Sequence, residues 1–450
     1  SAQLGEPWQS DVLVDSVTPF AISVRSASGA RNDYQVLVQR EIGQHSYLKG
    51  SNSQSGDGFG TFVAAYGNTV VSGAVYERGA KQTPETGGNL GNAGAAYVFV
   101  QEGDQWRQQG YLKAQSIEAE DYFGIVDLWK DTIAVGAPGS LLTSWTPGTP
   151  NGAVHIFDRS GDVWTSTQIV TSDRAAGGDA FGYFVQIDDG VLMVGAPLDD
   201  EGGQRSGAAY MFTHHNGKWE QQFRFKAPEP IPEARFGHAF SFHKDTVVIS
   251  SWGEPVNDVT RSGAVYIYTR TQAGWSLLQR LTEPTVAEWA QFGWSVSLLD
   301  DTLVVSAPHN PVEVASNASG AVHVYKRGSS ASEFEHVARL EADRPTVGDN
   351  YGHAVELSAT QLIIGAPVDA NSNLGSGAAY LYTRSGDDFL KAAYLTGAQS
   401  DAQDRLGAYV ALADGYAVVS APMEDSSSHA INAGDTDNRA ADSGAAYIFR

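Results

Sequence analysis

The segment of the sequence best suited to bind a metal ion lies near its end, where 21 residues separate a Ser-Ala-Pro string from the final Gly-Ala string. Asp435 and Asp437 are two residues apart, so both carboxylates could contact one ion, and Asp425 or Asp442 could complete its shell. Calcium prefers oxygen ligands of this kind. Clustered acids are, however, more often simply solvated. The sequence therefore predicts either a calcium site or a solvated acidic loop, and it suggests no other cofactor.

A second set of residues could contact an organic ligand. Acids recur shortly after the Gly-Ala-Pro strings, and tryptophan rings are able to stack on a sugar. Each acid could instead orient its own loop by accepting backbone N–H bonds, and Trp252 could fill the space that proline takes in most other copies of its string. The candidate ligand-binding residues are Trp145, Asp199, Asp200, Trp252, Asp369 and Glu424.

The composition argues against several classes of protein. Acidic residues outnumber basic ones by 52 to 29, and the net charge of −23 opposes binding to the phosphate backbone of nucleic acids. Cysteine does not occur, which excludes disulfides, thiolate metal sites and thiol nucleophiles together. No apolar run is long enough to span a membrane. The 49 glycines and three methionines favour a turn-rich β protein.

Three short strings recur along the chain. Gly-Ala, followed by Ala or Val and then Tyr or His, begins at Gly94, Gly152, Gly207, Gly263, Gly320, Gly377 and Gly444. A pair ending in Gly precedes each copy, and it begins at Phe59, Phe123, Phe181, Phe236, Phe292, Tyr351 and Leu406. Gly-Ala-Pro or a variant lies between the two. The repeat length of about 57 residues indicates one structural unit repeated seven times.

Each repeat is predicted to form four short strands separated by turn residues. In the fifth copy these strands are FGWSVSLL, TLVVSAP, GAVHVYK and FEHVARLEA. The first two are apolar on both faces, as expected for a sheet that packs between two neighbouring sheets. Four-stranded sheets repeated around an axis form a β-propeller. We therefore predict an all-β fold, a seven-bladed β-propeller of four-stranded antiparallel blades.

The seventh repeat lacks a fourth strand because the sequence ends at Arg450, in the third. Residues 46–60, SYLKGSNSQSGDGFG, parallel residues 110–124, GYLKAQSIEAEDYFG, which begin in the last part of the fourth strand of the first repeat. Residues 41–50 are therefore predicted to supply the missing strand, so that an N-terminal strand completes the last blade. This closure would cover a sheet edge whose donors and acceptors are otherwise unpaired.

The Phe-Gly and Gly-Ala-Pro strings at this spacing resemble the FG-GAP repeats that build the seven-bladed propeller of integrin α subunits and of many bacterial surface proteins. The resemblance covers residues 41–450. It implies an extracellular or cell-surface location, a bacterial source and a role in binding or adhesion. Integrin repeats often carry an Asp-x-Asp-x-Asp-Gly calcium loop between the two strings. Here that link is a tight turn such as YGNT or LDDT, so metal sites of the integrin type are expected to be absent.

The first 40 residues do not fit the repeat. Residues 18–40 contain two alternating stretches around SASGARND, which suggest a hairpin and resemble the final strands of cadherin-like β-sandwich domains. We therefore predict an N-terminal segment over residues 1–40, a hairpin or the remnant of a β-sandwich domain, followed by the propeller over residues 41–450.

The longest loops predict where a partner binds. Loops between second and third strands lie on one rim of such a propeller, and those of the first and last repeats, with 18 and 21 residues, are the longest. Ring closure would make these two blades neighbours. Long loops on a rigid scaffold often carry binding sites, so the predicted patch lies where the first blade meets the seventh.

An enzymatic site is not predicted. Glu356 is the only acid among the first-strand positions expected to face the axis, so a pair of catalytic carboxylates is not expected. Asp127 interrupts an otherwise apolar column, but its repeat is one residue shorter there, so a shift of register is expected rather than a buried unpaired carboxylate. No Gly-x-Ser-x-Gly, His-Glu-x-x-His or phosphate-binding loop motif occurs.

The predicted function is that of a non-catalytic extracellular module that binds a protein or glycan partner through its rim loops, with or without calcium. The alternative is an interaction scaffold within a larger secreted enzyme. We expect a monomer that neither binds nucleic acid nor inserts into a membrane.

Overall fold

The computed structural model describes most of the chain. The described residues are 18–25, 31–38, 42–84, 90–139, 152–174, 178–309, 319–328, 333–372, 375–386, 388–398, 400–432 and 438–450. Within them, no helix is both long and apolar enough to cross a membrane. Strands β1 (Thr18–Arg25) and β2 (Arg31–Val38) pair antiparallel as a sheet of their own. The division of the chain at residue 40 stays a prediction.

Seven four-stranded antiparallel sheets, the blades, follow one another along the chain, and the first strands of neighbouring blades lie side by side around the axis. Blades 1 to 3 consist of β4 (Phe62–Tyr66), β5 (Thr69–Ala74), β6 (Ala95–Glu102), β7 (Gln105–Leu112); β8 (Ile125–Trp129), β9 (Thr132–Ala137), β10 (Ala153–Ser160), β11 (Val163–Val170); and β12 (Val185–Asp188), β13 (Val191–Ala196), β14 (Ala208–His215), β15 (Lys218–Phe225).

Blades 4 to 6 consist of β16 (Phe240–His243), β17 (Thr246–Ser251), β18 (Ala264–Thr271), β19 (Gly274–Thr282); β20 (Val296–Leu299), β21 (Thr302–Ala307), β22 (Ala321–Arg327), β23 (Phe334–Leu340); and β24 (Val355–Leu357), β25 (Gln361–Ala366), β26 (Ala378–Ser385), β27 (Asp388–Leu395). Blade 7 consists of β28 (Val410–Ala413), β29 (Tyr416–Ala421), β30 (Ala445–Phe449) and β3 (Gln44–Leu48). The predicted fold class is confirmed.

Burial falls from the inner strands of each blade to the outer one. Every residue of β17 and β21 is buried, because these second strands are covered on both faces by the neighbouring blades. The fourth strand β11 instead alternates between exposed and half-buried residues over most of its length. The core is therefore a set of layers between blades, which explains why the first two strands of each repeat are apolar on both faces.

The N-terminal strand β3 closes the ring by pairing antiparallel with β30. Tyr47 lies opposite Tyr447, and Leu48 lies opposite Ala446. At the end of this ladder the backbone N–H of Gly43 donates to the carbonyl oxygen of Arg450 at 3.0 Å. The predicted completion of the last blade is thereby confirmed.

A buried ion pair also joins the two ends of the chain. The Lys49 ammonium lies 2.6 Å from a carboxylate oxygen of Glu424, and the Tyr47 hydroxyl donates to the other oxygen at 2.8 Å. Blade 1 contains the same arrangement, with Lys113 2.8 Å from Glu77. The similarity of the segments around Tyr-Leu-Lys in the sequence therefore reflects the same contact in two blades.

Adjacent blades approach closely at one glycine in each repeat. Gly207 has a φ of +84°, and a Cβ atom added to it would lie 2.1 Å from the carbonyl oxygen of Phe236 in the next blade. The Phe236 N–H donates to the carbonyl oxygen of Ser206 at 3.0 Å. The glycines that approach the next blade in this way are Gly94, Gly152, Gly207, Gly263, Gly320, Gly377 and Gly444. We call this contact the blade joint.

The first prediction tests the blade joint. Gly207→Ala should lower the free energy of unfolding by roughly 1–3 kcal/mol more than Gly217→Ala, because overpacking adds to the cost of a positive φ. Gly217 is the matched control, since its φ is +77° but nothing lies within 4 Å of an added Cβ. Urea unfolding of both variants measures the difference. Equal losses would show that the joint tolerates a methyl group.

The second prediction tests the ion pair that joins the chain ends. Lys49→Met should cost about 3–5 kcal/mol of unfolding free energy, because it leaves the buried Glu424 carboxylate without its positively charged partner. Adding Glu424→Gln should recover part of the loss. Arg107→Met removes the exposed Arg107 partner of Glu102 and should leave the urea midpoint nearly unchanged. The interpretation fails if the double variant is no more stable than Lys49→Met alone.

Candidate functional site

The predicted patch between blades 1 and 7 exists as a surface shared by both blades. The Gly56 and Gly58 N–H groups donate to the carbonyl oxygens of Ala441 and Asp442 at 2.8 and 3.0 Å. A cavity of about 380 Å³ lies here, and it is lined by Ser53, Gln54, Ser55, Asp57, Arg78, Ser427, His429 and Ala440. Residues nearly 400 positions apart in sequence therefore border one space, as ring closure implies.

The structure brings together two of the four acids proposed to bind calcium. Asp425 accepts a hydrogen bond from the Asp442 backbone N–H at 2.8 Å, so this contact shapes the loop. Asp435 and Asp437 lie outside the described residues. Among the residues that the structure describes, no three His, Cys, Asp or Glu side chains are grouped to hold a metal ion. Calcium binding stays a prediction.

The recurring acids of the rim loops are buried inside their own blades. Asp199 receives hydrogen bonds from Arg224 at 2.6 Å and from Lys226 at 2.9 Å, and Asp369 receives one from the Tyr380 hydroxyl at 2.6 Å. Acids at this position, four residues after the start of the Gly-Ala-Pro string or its variant, are Glu77, Asp199, Glu254, Asp369 and Glu424. They lie in five different blades, so they do not share one ligand surface.

Two of these recurring acids also accept backbone N–H groups of their own loops, as the alternative interpretation predicted. Asp199 accepts the Glu201 N–H at 3.0 Å, and Asp369 accepts the Asn371 N–H at 2.8 Å. Asp200 is exposed, and it accepts the Arg205 N–H at 2.8 Å. The acids thus tie each loop to its blade.

Of the two candidate tryptophans, one lies in a described part of the chain. Trp145 is outside the described residues. Trp252 is only 6% exposed, and its ring centroid lies 5.4 Å from that of Trp294. The guanidinium carbons of Arg235 and Arg261 lie 5.2 and 5.7 Å from the Trp252 centroid. Trp252 therefore supports two arginines and does not present an open face to a sugar.

The loops of the rim surround a cavity of about 510 Å³ at the axis. It is bordered by residues of the rim loops and of the segments that enter the first strands. Among the side chains that line it, we call six the funnel: Tyr76, Tyr122, Tyr183, Arg205, Arg235 and His238. Tyr76 is 40% exposed, so part of this aromatic surface is open. None of these six residues was among the candidates from the sequence.

An aromatic collar, contributed by six of the seven blades, forms the floor of the funnel and shares Tyr183 and His238 with it. Its members follow the glycine of the Phe-Gly pair or its variant by one or two positions: Phe62, Tyr183, His238, Trp294, His353 and Tyr409. Successive ring centroids are 4.4 to 5.9 Å apart from Phe62 round to Tyr183. Burial lowers the pKa of His238 to about 3 and that of His353 to about 4, so both rings are neutral at neutral pH.

Below the collar, a channel of about 340 Å³ follows the axis between the first strands. The register pairs Val126 with Val135 and Asp127 with Ala134. Val126 therefore takes the position that apolar residues hold in the other first strands, and Asp127 takes the next position along its strand. The predicted shift of register is confirmed. Aligned by strand register, one position of each first strand forms a ring around the axis: Ala64, Asp127, Gln186, Ser241, Ser297, Glu356 and Ala411.

Both acids of this ring bond to the next blade. Asp127 accepts the Ile187 N–H at 2.7 Å, and Glu356 accepts the Leu412 N–H at 3.0 Å. Burial raises the pKa of Asp127 to about 7. Burial, and then the charge of Asp127, raise the pKa of Glu356 to about 8. The channel thus holds two carboxyl groups that can take up or release a proton near neutral pH.

The arginines around the funnel were missed because the contacts that unite them connect different repeats. Arg205 and Arg235 are 30 residues apart, yet the Arg235 N–H donates to the Arg205 carbonyl oxygen at 3.1 Å. One sequence signal could have found them. The tripeptide Arg-Ser-Gly begins at Arg205 and again at Arg261, at the blade joints of two successive repeats.

Comparison with known proteins finds a repeat family and a set of propellers. The FG-GAP repeat family matches the chain over residues 43–99, 164–212, 275–325 and 334–382. No curated protein matches it significantly. Solved structures similar to it include a periplasmic gluconolactonase from Pseudomonas aeruginosa, at 11% identity and a TM-score of 0.47, over 75% of this chain and 84% of that one.

Two further solved structures show a similarity of the same order. A Bacteroides fragilis protein described as a 6-phosphogluconolactonase is 11% identical, with a TM-score of 0.47, over 78% of this chain and 86% of its own. Sqt1 from Saccharomyces cerevisiae is 9% identical, with a TM-score of 0.46, over 91% of this chain and 99% of its own.

The prediction that the chain is not an enzyme is wrong. It depended on Glu356 being the only acid of the ring around the axis, whereas the register adds Asp127. The similar solved structures also include two described as lactonases. At 11% identity and TM-scores of 0.47, this similarity gives this chain neither an activity nor a substrate.

The third prediction concerns pH. The folded-state pKa values of Asp127 and Glu356 lie above the unfolded values near 4, so the folded state binds more protons and the free energy of unfolding falls as the pH rises from about 4 to about 8. Asp127→Asn with Glu356→Gln should reduce this fall by roughly 1–3 kcal/mol. Part of it should remain, because burial also raises the pKa of Asp57 and Asp404 to about 7.

Urea unfolding at pH 5.5 and pH 8.5 measures the effect. Asp104→Asn, in an exposed turn, is the control and should leave the pH dependence as it is. If the free energy of unfolding of the double variant still falls by the full amount between pH 5.5 and pH 8.5, these two acids do not cause the pH dependence.

Proposed function

We propose, on the premise that this chain is an FG-GAP-repeat β-propeller, that it binds a saccharide at the funnel. The observation that carries the proposal is the open aromatic surface of the funnel above the collar. Sugar rings present C–H faces that pack on aromatic rings, and their hydroxyl groups pair with neighbouring tyrosine and histidine side chains. A protein partner was the other prediction, and the concave shape of the site favours the smaller ligand.

The size of the site is compatible with this ligand. Its volume of about 510 Å³ lies in the range of roughly 300–1,000 Å³ that is typical of small-molecule sites. The rim loops that border it are bonded to their own blades by the buried acids, so the site is largely formed before a ligand arrives. Preformed geometry of this kind reduces the entropy cost of binding.

We place this binding outside the cell, in keeping with the resemblance to FG-GAP proteins of bacterial surfaces. A monomeric state, a part for calcium and attachment to a larger secreted enzyme stay predictions, and so does the expectation that the chain neither binds nucleic acid nor inserts into a membrane.

The fourth prediction uses two tyrosines of blade 1 that are equally exposed. Tyr76 lines the funnel, and Tyr66 ends β4 at the hairpin on the opposite rim; each is 40% exposed. A glycan array with the intact chain identifies ligands, and calorimetry measures their affinity. Tyr76→Ala should weaken binding about 10-fold, the equivalent of one stacking contact, whereas Tyr66→Ala should not change it.

Two results would contradict the proposal. One is an array on which no saccharide binds, with or without calcium. The other is an equal effect of the two tyrosine variants, which would place the ligand away from the funnel.

A further inference from the structure

We infer that the saccharide bound at the funnel is anionic, carrying a carboxylate or a sulfate group that Arg205, Arg235 and Arg261 recognise. The inference rests on the proposed function, and it adds the chemical class of the ligand. It follows from three features of the rim: the clustering of cations, the shortage of acids to neutralise them, and the aromatic faces beside them.

The arginine cluster is formed by the blade joints. Arg205 and Arg235 directly precede the two sides of one joint, Ser206-Gly207 and Phe236, so the close approach of the blades brings them together. Arg261 holds the same place in the next blade as Arg205 does in its own. The fold therefore sets the three arginines beside one another on a rigid part of the rim.

Their charges are only partly neutralised. Glu233 lies 3.5 Å from Arg205 and 3.9 Å from Arg235. Arg261 forms no salt bridge within the described part of the chain; its guanidinium carbon lies 4.7 Å from the Trp289 ring centroid and 5.7 Å from that of Trp252. Three guanidinium groups thus face one carboxylate, in a protein whose net charge is −23.

The environment of Arg235 indicates that the cluster repels itself. Burial lowers the pKa of this guanidinium; the charge of Glu233 opposes this shift, and the charges of Arg205 and Arg261 add to it. An anion bound between the three would replace this repulsion by attraction. Guanidinium groups suit carboxylate and sulfate because their N–H donors match two acceptor oxygens at once.

The aromatic rings beside the cluster select a ring-shaped anion. Trp289 is 48% exposed next to Arg261, and Tyr76 is 40% exposed in the funnel that Arg205 and Arg235 border. An acidic sugar offers a C–H face to such rings and a charge to the arginines. A free inorganic anion would use the charges alone.

The fifth prediction is tested first with an array of uronic-acid, sulfated and neutral oligosaccharides matched in linkage. We expect hits among the acidic classes, and the comparison of uronic-acid with sulfated sugars identifies which anion is bound. Hits confined to neutral sugars would overturn this inference and leave the proposed function intact. An array without hits would overturn both.

Variants then test which arginines bind the anionic group of the ligand. Arg261→Gln and Arg205→Gln should each weaken binding of the acidic hit at least 10-fold, with unchanged melting temperatures. Arg270→Gln is the matched control, because Arg270 is an exposed arginine at the other end of blade 4. If the hit contains a uronic acid, its methyl ester should bind weakly to the intact protein and be insensitive to the arginine variants, and Tyr76→Ala should weaken both forms.

Two further measurements complete the test. Affinity for the acidic hit should fall as NaCl rises from 50 to 500 mM, because salt screens the cluster. Inorganic sulfate at millimolar concentration should compete poorly. Equal binding of acid and ester, or full competition by sulfate or by an acidic peptide, would overturn the inference.

Discussion

The close contact between the backbones of adjacent blades is the constraint on which the rest of the structure depends. At each blade joint a glycine with positive φ faces the carbonyl oxygen of the residue that begins the next Phe-Gly pair or its variant, at a distance that leaves no room for a Cβ atom. This explains why two glycine-containing strings recur in step along the chain. The last of these contacts joins Gly444 to Phe59, so the same joint that builds the ring also closes it. Because every joint has the same geometry, every rim loop starts and ends at a fixed place, and the residues beside the joints form the edge of the funnel.

Much of the fold could be predicted from the sequence because its determinants repeat. The spacing of the strings gave the number of blades, and the shared Tyr-Leu-Lys segments at Tyr47 and Tyr111 identified the strand that completes the last blade. The missing residue before Asp127 predicted its shift of register. What could not be predicted was where the shifted residue goes: it joins Glu356 in a ring that exists only after seven strands surround the axis. The argument against an enzyme failed at that point.

The site was harder to predict than the fold, and for a physical reason. Recurrence of an acid after each Gly-Ala-Pro string was compatible with ligand binding or with support of the loop, and only the positions of Arg224 and Lys226 show that Asp199 is already paired. The residues of the funnel do not recur in this way. Arginine occupies the place of Arg205 in one other repeat, at Arg261, and the place of Arg235 in one other, at Arg405, and Arg205 meets Arg235 through a contact between repeats. Repetition therefore reveals the scaffold, while the residues proposed to bind a ligand lie at positions that vary among most repeats.

The distribution of charge also differs between the scaffold and the funnel. Four buried rim acids, one each in blades 1, 3, 4 and 7, form ion pairs with lysine or arginine side chains of their own blades, so these acids add little negative potential at the axis. The arginines next to the joints are held by tryptophan faces and by a single glutamate. A chain with a large negative net charge can thus present a locally positive funnel. The local field is what an approaching ligand meets at short range, because salt screens charges more than about 8 Å away at physiological ionic strength. The funnel proposed to bind the ligand can therefore accept a small anion despite the overall acidity of the chain.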